Sequence, residues 1–213
     1  LEAYSFRIRG KESEPTKAYT VEQMQYTIEH LRDIRNENDR NYMCIQSLHP
    51  MRPEEVLGLR WQDIDLESNA IHIRNTVTHP DRSKAVFQDC TKTRQSRRTL
   101  ALVPDIKRYL TVGEPEDFVV GGKKPYSYTQ MRQMRKRVAR DIQFDDKITP
   151  RRFRTTVLTD IYDGTKDIKM TQAAAGHTTS AMTLEHYTKG RMLNRDAAKT
   201  IADAYGLTGH VTK

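Results

Sequence analysis

The sequence predicts a mainly α-helical chain with a small three-stranded antiparallel sheet inserted early, an α+β class. Apolar residues recur at helical spacing before about residue 60, and again from about residue 127 onward. Between these stretches the texture changes. Residues 70–77 (AIHIRNTV) and 98–103 alternate with period two, and 85–88 is short but strand-like.

Thr20 and Gln23 form a capping-box signature, after which Val21, Met24, Ile28, Leu31 and Ile34 follow a helical period. A second short helix is expected over 40–48. Pro53 suits the first turn of a third helix, running to about Leu59. After the strands, Pro104 is expected to start a helix to about Leu110, and Gly121-Gly122 marks a loop. Ser127 and Gln130 repeat the capping box. The helix they open has Met131, Met134, Val138 and Ile142 on one face and Arg132, Arg135, Lys136 and Arg140 on another. Thr149-Pro150 begins the next helix, where Phe153, Val157 and Ile161 point inward and Gly164 is expected to end it. Further helices are expected over 167–175, 180–187 and 194–205. Leu59, Trp61, Tyr162 and Tyr205 read as core. The polar residues 1–19 read as a linker or tail, 20–190 as the main domain, and 191–213 as a helical tail.

The formal net charge is +8, and its placement says more than its size. Of 36 Lys/Arg, eleven lie in residues 123–154, together with only three of the 28 Asp/Glu; the remainder balances, 25 against 25. A neutral body with one basic band suits a polyanion-binding face, although a solvated charged helix gives the same count. No apolar run reaches the roughly 18 residues that would span a membrane. Only Cys44 and Cys90 are present, which argues against a disulfide framework or a cysteine zinc site and fits a reducing cytoplasm. The start, LEAYSFRIRG, has no apolar signal segment and no initiator Met, and reads as a piece of a longer protein.

Three stretches carry the chemistry: LHPMRPEEVLGLRWQDID at 48–65, TKTRQSRRTLAL at 91–102, and ITPRRFRTT at 148–156 continuing to AAGHTTSAMTLEHY at 174–187. In order, spacing and surroundings they resemble the tyrosine recombinase (phage integrase) family. The likeness spans about Thr20 to Tyr187. It implies that 20–190 is a recombinase catalytic domain and that 1–19 is a linker from an upstream DNA-binding region. By position, Arg52 matches the first catalytic arginine, Glu55 its supporting acid, Lys92 the β-hairpin lysine and Arg154 the second arginine. His177 matches the late His/Trp position, and Tyr187 the nucleophile. Arg151 stands where the family usually has His or Lys, and it cannot accept a proton. His49-Pro50 replace the usual Thr-Gly.

Attack on a phosphodiester builds negative charge on two non-bridging oxygens. Planar, permanently charged guanidinium groups can hold those oxygens bidentately without a metal. The resemblance therefore implies cleavage and rejoining of DNA through a 3′-phosphotyrosine, with no metal, ATP or other cofactor. Arg52, Arg151, Arg154 and His177 would stabilise the transition state, and Lys92 would protonate the 5′-oxygen. It further implies double-stranded DNA as partner and a homotetramer on it, a 191–213 tail exchanged between neighbours, and a bacterial cytoplasm as setting. Arg94, Arg97, Lys123, Lys124, Arg132, Arg135, Lys136 and Arg140 are the expected DNA-backbone contacts.

Each residue also has an ordinary reading. Arg52 with Glu55 could be a helix-surface ion pair, Lys92 a solvated turn residue, and His177 a helix-end histidine with His186 its solvated neighbour. Three rival functions are a metal-dependent nuclease using Asp63, Asp65 and Glu67, a non-catalytic DNA-binding module, and a type IB topoisomerase.

Overall fold

The computed structural model describes residues 16–82, 84–89, 97–176 and 195–207. Seven α-helices and five short strands are found among them. The helices are α1 (Val21–Glu29), α2 (Glu37–Leu48), α3 (Pro53–Gly58), α4 (Tyr128–Asp141), α5 (Pro150–Thr165), α6 (Ile168–Ala175) and α7 (Arg195–Ala204). The strands are β1 (Ile64–Asp65), β2 (Ala70–Ile73), β3 (Asn75–Thr78), β4 (Val86–Asp89) and β5 (Arg98–Ala101).

Helix α2 is the centre of the core. Every residue from Asn41 to Leu48 is buried, and α1, α3, α4, α5 and the 104–109 segment all pack on it. A helix buried on all sides must satisfy its polar groups internally. The Asn41 amide donates to the carbonyls of Thr111 and Val119, Gln46 donates to the carbonyl of Met51, and Ser47 donates to that of Met43. Asp39 accepts two hydrogen bonds from the Arg137 guanidinium at 2.7 and 2.8 Å, and this pair ties α4 to α2. Both predicted capping boxes form, at Thr20/Gln23 and Ser127/Gln130.

The expected three-stranded sheet is present, but its strands are not the three expected. Its order is β1-β2-β5, antiparallel throughout, while β3 and β4 pair as a separate ribbon. The predicted strand over 70–77 is interrupted at exposed Arg74, where the chain passes from one sheet to the other. Ile71, Ile73 and Val77 are all buried, so the period-two pattern runs through the break and hides it. Strand β1 has only two residues and exists because Ile64 pairs with Ile71, a partner that local pattern cannot supply.

Other boundaries moved for local reasons. The first helix ends at Glu29, and Leu31–Asp33 forms a 3-10 turn that still buries Leu31 and delivers Ile34 to the core. Pro104–Tyr109 is a 3-10 helix rather than an α-helix. Gly164 does not stop α5, which runs to Thr165 and is capped by Lys166 in the left-handed region at φ 52°. Gly164 instead gives clearance to α7, since a Cβ there would collide with the Thr200 side chain. Tyr162, expected in the core, is 43% exposed, whereas Tyr205, Leu59 and Trp61 are buried as expected. The helix predicted over 180–187 lies outside the described residues.

Candidate active site

Arg52 stands immediately before α3, in extended conformation, with Pro53 at the first helical position. Proline suits that position because the missing N–H would have had no intrahelical partner. Glu55 sits at the third position and reaches back, one oxygen accepting from the Arg52 backbone N–H at 2.7 Å. Its other oxygen accepts from the Arg52 guanidinium at 2.8 Å. Glu55 is 2% exposed, so this is not a helix-surface pair.

A second cation joins the arrangement. Arg98, the first residue of β5, grips both Glu55 oxygens at 2.9 and 2.8 Å. Burial alone would raise the Glu55 carboxyl, but the Arg98 fork and Arg52 outweigh it and leave the pKa below its ordinary value. Arg154, from the second turn of α5, brings its guanidinium to 4.0 Å from the same carboxylate. Burial first, and then the charge of Arg52, lower the Arg154 pKa to about 10, so it remains protonated at neutral pH.

The C-terminal end of α6 closes the pocket. Its last carbonyls have no intrahelical donors and form the negative end of the helix dipole. Arg98 Nε donates to Ala174 O at 3.2 Å, Arg154 Nη2 to Ala175 O at 2.8 Å, and Arg52 Nη2 to Gly176 O at 3.4 Å. Arg154 Nη1 also donates to Pro50 O at 2.6 Å. Gly176 caps the helix in the left-handed region at φ 62°, and in the sequence it is followed by His177. Three guanidinium groups thus share one carboxylate, a local excess of positive charge suited to an anion. Side-chain exposure is 41% for Arg52 against 11% for Arg154 and 9% for Arg98, so Arg52 is the most accessible of the three.

The remaining candidates divide. Arg151 is exposed on the first turn of α5, one turn before Arg154. Lys92, Arg94, His177 and Tyr187 lie outside the described residues. On α4, Arg132, Lys136 and Arg140 are exposed and Arg135 is half-buried, opposite buried Met131, Met134 and Val138. Arg97 and Lys124 are exposed, Lys123 pairs with Asp117 at 2.9 Å, and Arg140 pairs with Asp141 at 3.0 Å. Sequence reasoning placed Arg98 at the start of a strand, beside a basic turn, and missed its part in the site. The signal was present: Arg98 shares the period-two face of buried Leu100 and Leu102, where a cation requires a buried partner. Asp63 and Asp65, two of the three carboxylates of the nuclease reading, have other duties. Asp63 is buried and accepts from the Arg60 backbone, and Asp65 accepts from the backbone N–H groups of Glu67 and Ser68. Among the described residues no group of His, Cys, Asp and Glu is arranged to hold a metal ion.

The phage integrase family model matches residues 17–193. The chain belongs to the phage integrase family. Its fold is that of the tyrosine recombinase catalytic domain, and membership places it among the enzymes of site-specific DNA recombination. The structure of the integrase of transposon Tn1549 in complex with a circular intermediate DNA is similar, with a TM-score of 0.62 and 16% identity over 90% of this chain and 67% of that one. The XerA recombinase structure is similar at a TM-score of 0.58 and 16% identity, over 91% of this chain and 65% of that one. The chain spans about two thirds of the length of these structures. No curated protein sequence matches it.

His49, which stands where the family usually has threonine, caps α2. It is 1% exposed, its Nδ1 bonds Ile45 O at 3.0 Å, and its Nε2 accepts from the Val103 N–H at 3.2 Å. Both bonds are satisfied only by the neutral ring with its proton on Nδ1. Burial lowers its pKa to about 4 from 6.5. The unfolded chain therefore binds the extra proton first, and the stability tied to neutral His49 is full above about pH 6.5 and lost as pH falls toward 4. That difference corresponds to about 3 kcal/mol. Urea denaturation from pH 7 to 4 is expected to show this slope, and His49→Gln is expected to flatten it. An unchanged slope would remove His49 as its source.

Proposed function

We propose that this chain is the catalytic portion of an integrase that cleaves and rejoins double-stranded DNA one strand at a time, through a 3′-phosphotyrosine at Tyr187. The observation that supports it best is the meeting of Arg52 and Arg154, 102 positions apart in sequence, around the single buried carboxylate of Glu55. In this reading Arg52 and Arg154 hold the non-bridging oxygens, Arg151 and His177 add positive charge, and Lys92 delivers a proton to the leaving 5′-oxygen. Glu55 orients Arg52. The phosphotyrosine ester keeps the energy of the broken bond, so a 5′-hydroxyl from another strand reverses the step without ATP, metal or other cofactor.

The exposed bases of α4, with Arg94, Arg97, Lys123 and Lys124, would grip the backbone and give binding a steep salt dependence. The Tn1549 integrase was solved with circular intermediate DNA, which supports DNA as the partner here. A homotetramer on two duplexes, with residues 191–213 exchanged between neighbours, is part of the same proposal.

A nicked suicide duplex, whose cut strand loses its 5′-end by diffusion, tests this reading. A denaturant-resistant protein–DNA adduct is expected to accumulate equally with and without EDTA. No adduct, or one abolished by EDTA, would refute it. Arg52→Ala is expected to slow its formation by about 10²–10³-fold, the effect typical of losing one donor to developing oxyanion charge. Arg151→Ala is expected to slow it less, with Arg151→His tolerated; wild-type rates in the alanine variant would take Arg151 out of the site.

A further inference from the structure

The arrangement around Arg98 carries an inference that rests on the reading above and extends it. We propose that Arg98 is a positioning residue for the cleavage step: its forked guanidinium sets the rotation of the Glu55 carboxylate and the register of the α6 terminus together.

Glu55 accepts four hydrogen bonds, two on each oxygen. Arg98 supplies one to each, at 2.9 and 2.8 Å, and Arg52 supplies the other two, from its guanidinium at 2.8 Å and its backbone N–H at 2.7 Å. A bidentate fork fixes the plane of a carboxylate, whereas a single donor leaves it free to turn. With that plane fixed, the oxygen facing Arg52 holds its guanidinium in one direction. The third contact runs elsewhere: Arg98 Nε donates to Ala174 O at 3.2 Å. The same guanidinium lies against Gly176, where a Cβ would come within 2.9 Å of Nη1. One side chain therefore joins β5, the start of α3 and the end of α6, the three elements that meet at the pocket. Arg98 is only 9% exposed, which suits a group acting through Arg52 rather than one touching DNA. Lysine would keep the charge but, as a point donor, could not span both oxygens and Ala174 O.

The test compares wild type with Arg98→Lys on the nicked duplex, measuring single-turnover cleavage at saturating protein, duplex affinity, melting temperature and hydrogen exchange. Cleavage is expected to fall about 10- to 100-fold, as for loss of one or two charge-assisted bonds. Duplex affinity should stay within about twofold, since the exposed bases are intact. Exchange should accelerate at Ala174–Gly176 while α2 keeps its protection. Wild-type cleavage by R98K, or a parallel fall of cleavage, affinity and melting temperature, would overturn the proposal. Should R98K not fold, Gly176→Ala displaces the Arg98 guanidinium from the other side; it must show the same split between cleavage and affinity, and wild-type cleavage there is equally fatal. Failure of the recombinase reading looks different, because wild type itself would then form no adduct.

Discussion

Tyr187→Phe is expected to abolish covalent attachment to DNA while leaving duplex affinity within about twofold of wild type. The phenol oxygen is the atom that would bond to phosphorus, and phenylalanine removes it while keeping the ring. Nothing else in the proposed chemistry can substitute. A free tyrosine hydroxyl is roughly 0.1% ionised at neutral pH, and forming the phenolate in advance costs about 4 kcal/mol. A pocket with more guanidinium than carboxylate lowers that cost by favouring the anion, but only for a hydroxyl brought to it. Affinity rests on the exposed bases instead, so cleavage and binding should separate. Residual adduct in the phenylalanine variant would show that another residue is the nucleophile. A large loss of affinity would instead give Tyr187 a role in binding the duplex.

Glu55→Ala is expected to cost about 3–5 kcal/mol of stability, because it leaves two buried guanidinium groups facing each other without their counter-charge. In a domain of this size each kcal/mol moves the melting temperature by about 2–4 °C. Arg98 would lose two of its three hydrogen bonds, and Arg52 both of its bonds to the Glu55 carboxylate. Glu55→Gln, which keeps the shape but not the charge, should fall between alanine and wild type. Urea denaturation at pH 7 measures both. A loss under about 1 kcal/mol, the range of exposed ion pairs, would mean that the carboxylate does not hold the pocket together. The pH windows keep this effect apart from His49. A lowered Glu55 pKa contributes stability that is present above its ordinary value of 4.5 and is lost only as pH falls below it.

How much of this was legible beforehand depends on the range over which each feature is determined. Capping boxes, the apolar face of α4 and the proline starts of α3 and α5 are set within a few residues, and they were read correctly. The switch between sheets at Arg74 was not legible, because burial alternates through it and only the pairing partners change. Gly164 carries the local signature of a helix stop, yet its role is set by Thr200, a contact that sequence spacing does not reveal. In the site, the resemblance located Arg52, Glu55 and Arg154, and the structure brings those three together. Arg98 was overlooked because it follows a run of basic turn residues, although its place on the buried face of β5 marked it as a cation in need of a partner.

Mass spectrometry of the trapped adduct tests the central claim most directly. After cleavage of the nicked duplex in EDTA, nuclease and protease digestion should leave a 3′-linked nucleotide on the peptide that contains Tyr187, at that residue alone. A nucleotide on Tyr162, Tyr205 or any other side chain, or a cut that releases free ends with no modified peptide, would contradict the account.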